Sequence, residues 1–267
     1  MTAIAVTIAG SDSGGGAGIQ ADLKTFSALG VYGASVITAL TAQNTRGVTG
    51  IHDVPAEFVT RQIDAVFSDL AVDAVKIGML SRPAIIRAVA AGLDRHGMSK
   101  VVLDPVMVAA SGDALIADEA VAVLLDVLVP RVLLITPNLP EAARLLGEPI
   151  AADRAAVERQ AARLLAKGPG AVLLKGGHAG GSESADYLLT AAGGRWLSAP
   201  RIATKNTHGT GCTLSSAIAA GLARGESLEA AVVAAKDYVT AAIAAADRLE
   251  IGHGHGPVHH FHAWWER

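Results

Sequence analysis

Short runs of apolar, often β-branched residues recur at residues 3–8, 34–38, 74–77, 101–103, 132–135 and 171–174. Each is apolar at nearly every position, the pattern of a strand covered on both faces. Between them lie stretches with apolar residues three and four apart, as a helix with one buried face requires. These are 17–29, 56–70, 83–95, 118–128, 139–146 and 154–166; in the second, Phe58, Val59, Ile63, Val66 and Phe67 form the apolar set. Strand–helix–strand alternation predicts an α/β fold, a mostly parallel central sheet with helices on both faces. The pattern changes near residue 185, where runs 185–189 and 195–199 flank Gly193-Gly194 and predict a hairpin. Two Ala-rich helices, 212–224 and 228–249, follow. No linker or repeat interrupts the pattern, so one domain over residues 1–267 is expected.

The polar positions are as patterned as the apolar ones. Nearly every polar or glycine-rich cluster follows the carboxyl end of a predicted strand: residues 10–18, 41–45, 78–79, 104–107, 136–141 and 175–178. Open α/β sheets bind ligands at that edge. The sequence therefore predicts one cleft fed by all six clusters.

The most specific chemistry lies in residues 206–217, Asn-Thr-His-Gly-Thr-Gly-Cys-Thr-Leu-Ser-Ser-Ala. A glycine-rich turn runs straight into a helix. The first helical amides lack backbone partners and face the positive end of the helix dipole, which suits a phosphate. Cys212, the lone cysteine, sits at the rim. A phosphate cradle with one nucleophile or base beside it points to phosphoryl transfer, against the plainer alternative of a bare helix start. The loop 10–18 is also glycine-rich, but it lacks the Gly-Lys-Ser/Thr ending of a Walker loop. It only loosely approximates a dinucleotide fingerprint, and no clear acid closes the second strand. It better suits backbone approaching a small flat ligand, with Asp22 one turn into the helix as a polar anchor.

Composition removes several function classes. The chain is 51% hydrophobic and 18% charged, enough for a large core, with aromatics only 4%. A net charge of −3 argues against a nucleic-acid surface. One cysteine makes no internal disulfide, so a reducing cytoplasm is expected. Charges interrupt every apolar stretch, so no membrane span is expected, and residues 1–10 lack the basic start of a signal peptide. Five of the nine histidines (His253, His255, His259, His260 and His262) crowd the tail. Such a tract is a metal candidate by composition alone.

Residues 9–25, Ala-Gly-Ser-Asp-Ser-Gly-Gly-Gly-Ala-Gly-Ile-Gln-Ala-Asp-Leu-Lys-Thr, resemble the opening of the hydroxymethylpyrimidine and phosphomethylpyrimidine kinases of thiamine biosynthesis. Residues 41–45, 76–80, 103–107, 136–142, 174–178, 204–212 and 256–262 resemble the same family in the same order. The resemblance spans essentially the whole chain. It implies a ribokinase-like three-layer sandwich and an ATP- and Mg²⁺-dependent kinase. It also implies roles. The amides of Gly209, Thr210, Gly211 and Cys212 would form the anion hole, with Cys212 as base where most of the superfamily has Asp. A helix N-terminus lowers a thiol's pKa, so a thiolate is expected there. Asn138 and Glu141 form an Asn-x-x-Glu pair that organises Mg²⁺, Asp104 is a second acid near the metal, and Lys175 neutralises phosphates. Gln43 would read a flat aminopyrimidine, Met79 and Val106 would sandwich it, and Gly10, Ala17 and Asp22 would surround it. Related enzymes are commonly homodimers. A pyridoxine, pyridoxal or pyridoxamine kinase is the alternative substrate class. A cysteine-dependent transferase or hydrolase is the alternative chemistry, with His208 or His178 activating the thiol.

Overall fold

The computed structural model describes residues 1–107, 116–177 and 181–265. The chain opens with β1 (Ile4–Asp12), α1 (Gly18–Ala28), β2 (Tyr32–Asn44), β3 (Gly47–Asp53) and α2 (Ala56–Phe67). It continues through β4 (Ala74–Ile77), α3 (Pro83–Arg95), β5 (Val101–Leu103), α4 (Asp118–Val123), β6 (Leu134–Ile135), α5 (Leu139–Leu146) and α6 (Arg154–Leu165). It ends with β7 (Ala171–Leu174), β8 (Glu183–Thr190), β9 (Gly193–Pro200), α7 (Thr210–Ala223) and α8 (Leu228–Ala244). One nine-stranded sheet runs in the order β3-β2-β1-β4-β5-β6-β7-β8-β9. The six strands from β2 through β7 are parallel, and β3, β8 and β9 pair antiparallel at the edges.

Strand residues alternate between two cores. Val75, Ile77, Val101, Leu103 and Val172 face α2, α3, α5 and α6. Ala74, Val102, Leu134, Ala171 and Leu173 face α1, α7 and α8. The sheet is thus buried on both sides, which is why its central strands read as continuous apolar runs. The expected three-layer α/β architecture is present. β1 lies between β2 and β4, so successive strands are added on opposite sides of it. That reversal opens a crevice at the strands' carboxyl ends.

Several boundaries differ from the sequence expectation. Residues 10–12 and 41–44 are not loops but the last residues of β1 and β2. β3 was not foreseen. It carries two glycines and is mostly exposed, so cross-strand hydrogen bonds to β2 define it, not burial. The stripe 118–128 is α4 followed by a π-helical turn, Leu124–Leu128. α7 begins at Thr210, two residues earlier than the apolar pattern suggested, and α8 stops at Ala244 before a short 3₁₀ turn.

Candidate active site

The strand ends and the start of α7 enclose a cavity of about 810 Å³. Every sequence-predicted site residue lines it except Asp22. Gly10, Ala17, Gln43, Met79 and Val106, a slot set, line it with Cys212 and with Asp104, Asn138, Glu141, Lys175 and Gly211. Ile202, Leu214, Val239 and Ile243 form the apolar arm of the same lining. Gly10 has a packing reason: a Cβ there would meet Met79 Cε at 3.1 Å.

Gly209 enters α7 at φ 81°, the left-handed region, and a Cβ on it would strike the Gly16 carbonyl. Glycine is needed on both counts. The turn it makes is tighter than expected. The Thr210 amide donates to the Thr207 carbonyl at 3.2 Å and is no longer aimed outward. The Gly209, Gly211 and Cys212 amides have no partner among the described residues. The anion site therefore rests on those amides and not on all four.

Asp22 is the clearest correction. It is fully buried on α1, behind the cavity wall. Its carboxylate accepts from Lys76 Nζ at 2.9 Å, Thr7 Oγ1 at 2.6 Å and Ser216 Oγ at 2.6 Å. With its oxygens so occupied it ties β1, α1, β4 and α7 together beneath Cys212 and does not meet a ligand. Lys76 went unassigned in the sequence reading, yet it is fully buried and lines the cavity. A lysine inside the apolar strand Ala-Val-Lys-Ile was the available signal. Burial works against its charge, but Asp22, with Cys212 and Asp104 nearby, holds the ammonium well above the usual lysine range.

These charges bear on the thiol. Burial pushes Cys212 up to about 11; Lys76 pulls it down, while Asp22 and Asp104 push it further up. The Gly18 amide also favours the thiolate, without reversing the balance. The lowered thiol expected from the helix N-terminus is therefore not found. Desolvation and two carboxylates set the direction. His208 does not partner the sulfur either. Its Nε2 lies 2.9 Å from Asp12 Oδ2 and 3.4 Å from Gln43 Nε2. His178 lies outside the described residues. Nothing in this geometry favours a cysteine nucleophile.

Asn138 caps α5 with a reciprocal box: Glu141 N–H donates to Asn138 Oδ1 at 2.8 Å, and Asn138 N–H donates to Glu141 Oε2 at 2.7 Å. The box fixes Glu141 Oε2, and the Met107 amide also bonds the carboxylate. Burial raises Glu141 to about 7, against the pull of Lys175 and with Asp104 adding to the rise. Lys175 Nζ donates to Asp104 Oδ1 at 2.7 Å. Burial opposes its charge, but Asp104 and then Glu141 keep it ionised. Asp186 accepts from the Gly176 amide at 2.8 Å and from Lys236 Nζ at 2.7 Å, bracing the turn that carries Lys175. That brace had no local signal, because its partners come from three elements.

The first loop is held by Asp12, which accepts from the Gly14, Gly16 and Ala17 amides at 2.8, 3.1 and 2.9 Å. Burial raises its pKa, but the bonds from His208, Ala17 and Gly14 outweigh that and hold the carboxylate below its usual range. The tail histidines scatter. His255 reaches the Lys205 carbonyl, His260 reaches Thr213 Oγ1 at 3.1 Å, and His262 reaches the His259 carbonyl. No group of three His, Cys, Asp or Glu placed to hold a metal occurs among the described residues.

The arrangement offers a flat slot, an anion-ready helix start, a buried cation and two acids in one cavity. Comparison with known proteins gives the family. The sequence model for phosphomethylpyrimidine kinase matches residues 12–259. The hydroxymethylpyrimidine/phosphomethylpyrimidine kinase of Rhizobium meliloti is 64% identical over 266 residues, covering 100% of both chains. A crystal structure of the phosphomethylpyrimidine kinase from Clostridium difficile matches with TM-score 0.80 and 45% identity, over 90% of this chain and 99% of that one. The ADP complex of Bacillus subtilis pyridoxal kinase matches with TM-score 0.89 and 34% identity, over 97% and 98%.

Proposed function

The chain belongs to the phosphomethylpyrimidine kinase family, and from that premise we propose that it phosphorylates hydroxymethylpyrimidine and then its monophosphate, with ATP, in thiamine biosynthesis. The observation that carries this reading is that one cavity is lined by the slot residues Gln43 and Met79, by Gly211 and Cys212 with their open amides, and by the apolar arm residues Leu214 and Val239. The slot takes the ring and the arm takes the nucleoside. The terminal phosphoryl group lies between them, against Lys175 and the α7 amides. In the first transfer the substrate hydroxyl oxygen bonds to the γ-phosphorus, the bond to the ADP oxygen breaks, and the hydroxyl loses its proton. In the second, a phosphate oxygen attacks instead.

Such a transition state is loose, so positioning and charge stabilisation do most of the catalysis. Lys175 and the amides of Gly209, Gly211 and Cys212 meet the charge on the migrating group. With its thiol held protonated, Cys212 orients the hydroxyl and takes its proton only as the phosphoryl group transfers. The donor set of Glu141 and Asp104 is hard oxygen with few carboxylates, which fits Mg²⁺ carried in with the nucleotide and keeping several waters. When bound, that ion would neutralise phosphate charge; Glu141 and Asp104 would hold it. A homodimer in the cytoplasm completes the proposal.

Identity over the full chain favours the pyrimidine over pyridoxal as substrate, although the pyridoxal kinases share the fold closely. Parallel assays decide it. The specificity constant for hydroxymethylpyrimidine is expected to exceed that for pyridoxal by at least tenfold; the reverse order overturns the assignment.

A further inference from the structure

Gln43 sits at the slot end of the cavity, where Thr41, Asp12, Ser11 and His208 also line the wall. Its side-chain oxygen lies 3.1 Å from Thr41 Oγ1, and its nitrogen lies 3.4 Å from His208 Nε2. A carboxamide is nearly symmetric in shape, so its partners decide which end is which.

Those partners can be followed one proton at a time. Asp12 takes three backbone amides on its two oxygens, a fit only for the ionised form. An ionised carboxylate only accepts. His208 Nε2 is 2.9 Å from Asp12 Oδ2, so that nitrogen carries a hydrogen and donates it. The opposite tautomer would set a lone pair against a carboxylate oxygen. The Gln43 nitrogen also only donates, so facing it toward His208 sets N–H against N–H. The Thr41 hydroxyl has one proton, and the Ser11 carbonyl, 2.8 Å away, claims it. Thr41 Oγ1 then has lone pairs but no proton for Gln43.

A half-turn of the amide removes both conflicts. Gln43 Oε1 then shares the His208 Nε2–H with Asp12 Oδ2, and Gln43 Nε2 donates to Thr41 Oγ1. We infer that His208, anchored by Asp12, is a positioning residue that fixes the Gln43 carboxamide with its carbonyl toward α7 and its amino group toward Thr41, and so selects substrates with an adjacent donor and acceptor on the ring edge. Each end of the amide keeps one unused valence for the cavity: an oxygen lone pair on the His208 side and one N–H on the Thr41 side. The complementary ligand edge is an exocyclic amino group beside a ring nitrogen, as in a 4-aminopyrimidine. A ring without the amino group leaves the Gln43 carbonyl with an unfilled site in a partly desolvated slot, the situation that gives strong discrimination. The inference rests on the kinase reading for its substrate, but the orientation itself does not.

Two experiments test it, and they fail separately from that reading. Neutron diffraction from a deuterated crystal of the ligand-free protein locates the amide deuterons directly. Deuterons on the side facing Thr41, with one on His208 Nε2, are expected; an amide nitrogen facing His208 overturns the inference whatever the substrate proves to be. The second compares hydroxymethylpyrimidine with its 4-deamino analogue. In His208→Phe the preference for the amino compound is expected to collapse by about tenfold or more, mainly through KM for the amino compound. In a Gln43→Ala background the same substitution should leave that preference unchanged. Equal losses for both compounds, or additive effects in the two backgrounds, would show that His208 only braces the loop.

Discussion

At the residue scale, the thiol of Cys212 shows how one local rule yields to its surroundings. A cysteine in the first turn of a helix is expected to ionise easily. Here burial and the carboxylates of Asp22 and Asp104 push it to about 11 despite Lys76. Alkylation of the lone cysteine by iodoacetamide in the ligand-free enzyme should therefore quicken about tenfold per pH unit to roughly pH 10, since only the thiolate reacts. A plateau below pH 8 would mean that the dipole and Lys76 dominate. Glu141 is the counterpart. It reads as an ordinary capping acid, yet burial lifts it to about 7. A carboxyl raised on folding holds a proton that the unfolded chain has released. Its contribution to stability is thus present at low pH and is lost as pH rises toward 7.

At the scale of elements, the site is made by ion pairs between them. Lys236 on α8 meets Asp186 on β8, which also holds the Gly176 amide after β7; both residues are under a tenth exposed. Removing one partner of a buried pair leaves the other uncompensated. Asp186→Ala is expected to lower the unfolding free energy by about 3–5 kcal/mol in urea titration, with a raised KM for ATP because the Lys175 turn loosens. The paired change Asp186→Leu with Lys236→Met should recover much of the stability and not the KM. If the paired change recovers neither, the cost lies in packing and not in charge. Most elements were legible beforehand because their signals are local: doubly buried strands, 3.6-residue stripes, and a box of Asn138 and Glu141 three residues apart. β3 was not, since an exposed edge strand with two glycines owes its form to β2.

At the scale of the whole molecule, the sheet brings clusters spread over about 200 residues to one edge. The strand-end rule anticipated this, and only Asp22 among the expected residues faces away from the cavity. No helix among the described residues is long and apolar enough to cross a membrane. Leu40 and Ile51, at the β2–β3 edge, are 47% and 42% exposed. That edge is an apolar surface that the proposed homodimer would bury. Light scattering on the eluting protein is expected to give twice the 27.1 kDa chain mass. Leu40→Ser with Ile51→Ser should shift it toward the single-chain mass; a wild-type protein that elutes as a monomer removes the dimer.

The sequence alone determined the order of most elements, the edge that carries the cleft, the turn into α7 and, through its resemblance, the family. Periodicity, glycine placement and short motifs are local, and they survive without coordinates. Only the tertiary structure decided what the charged groups do. Asp22 pairs with Ser216 across 194 residues, and His208 with Asp12 across 196. Which partner a buried charge finds, and so whether a thiol ionises, a carboxylate faces a ligand or an amide turns its carbonyl one way, depends on desolvation and on neighbours that only folding brings within reach.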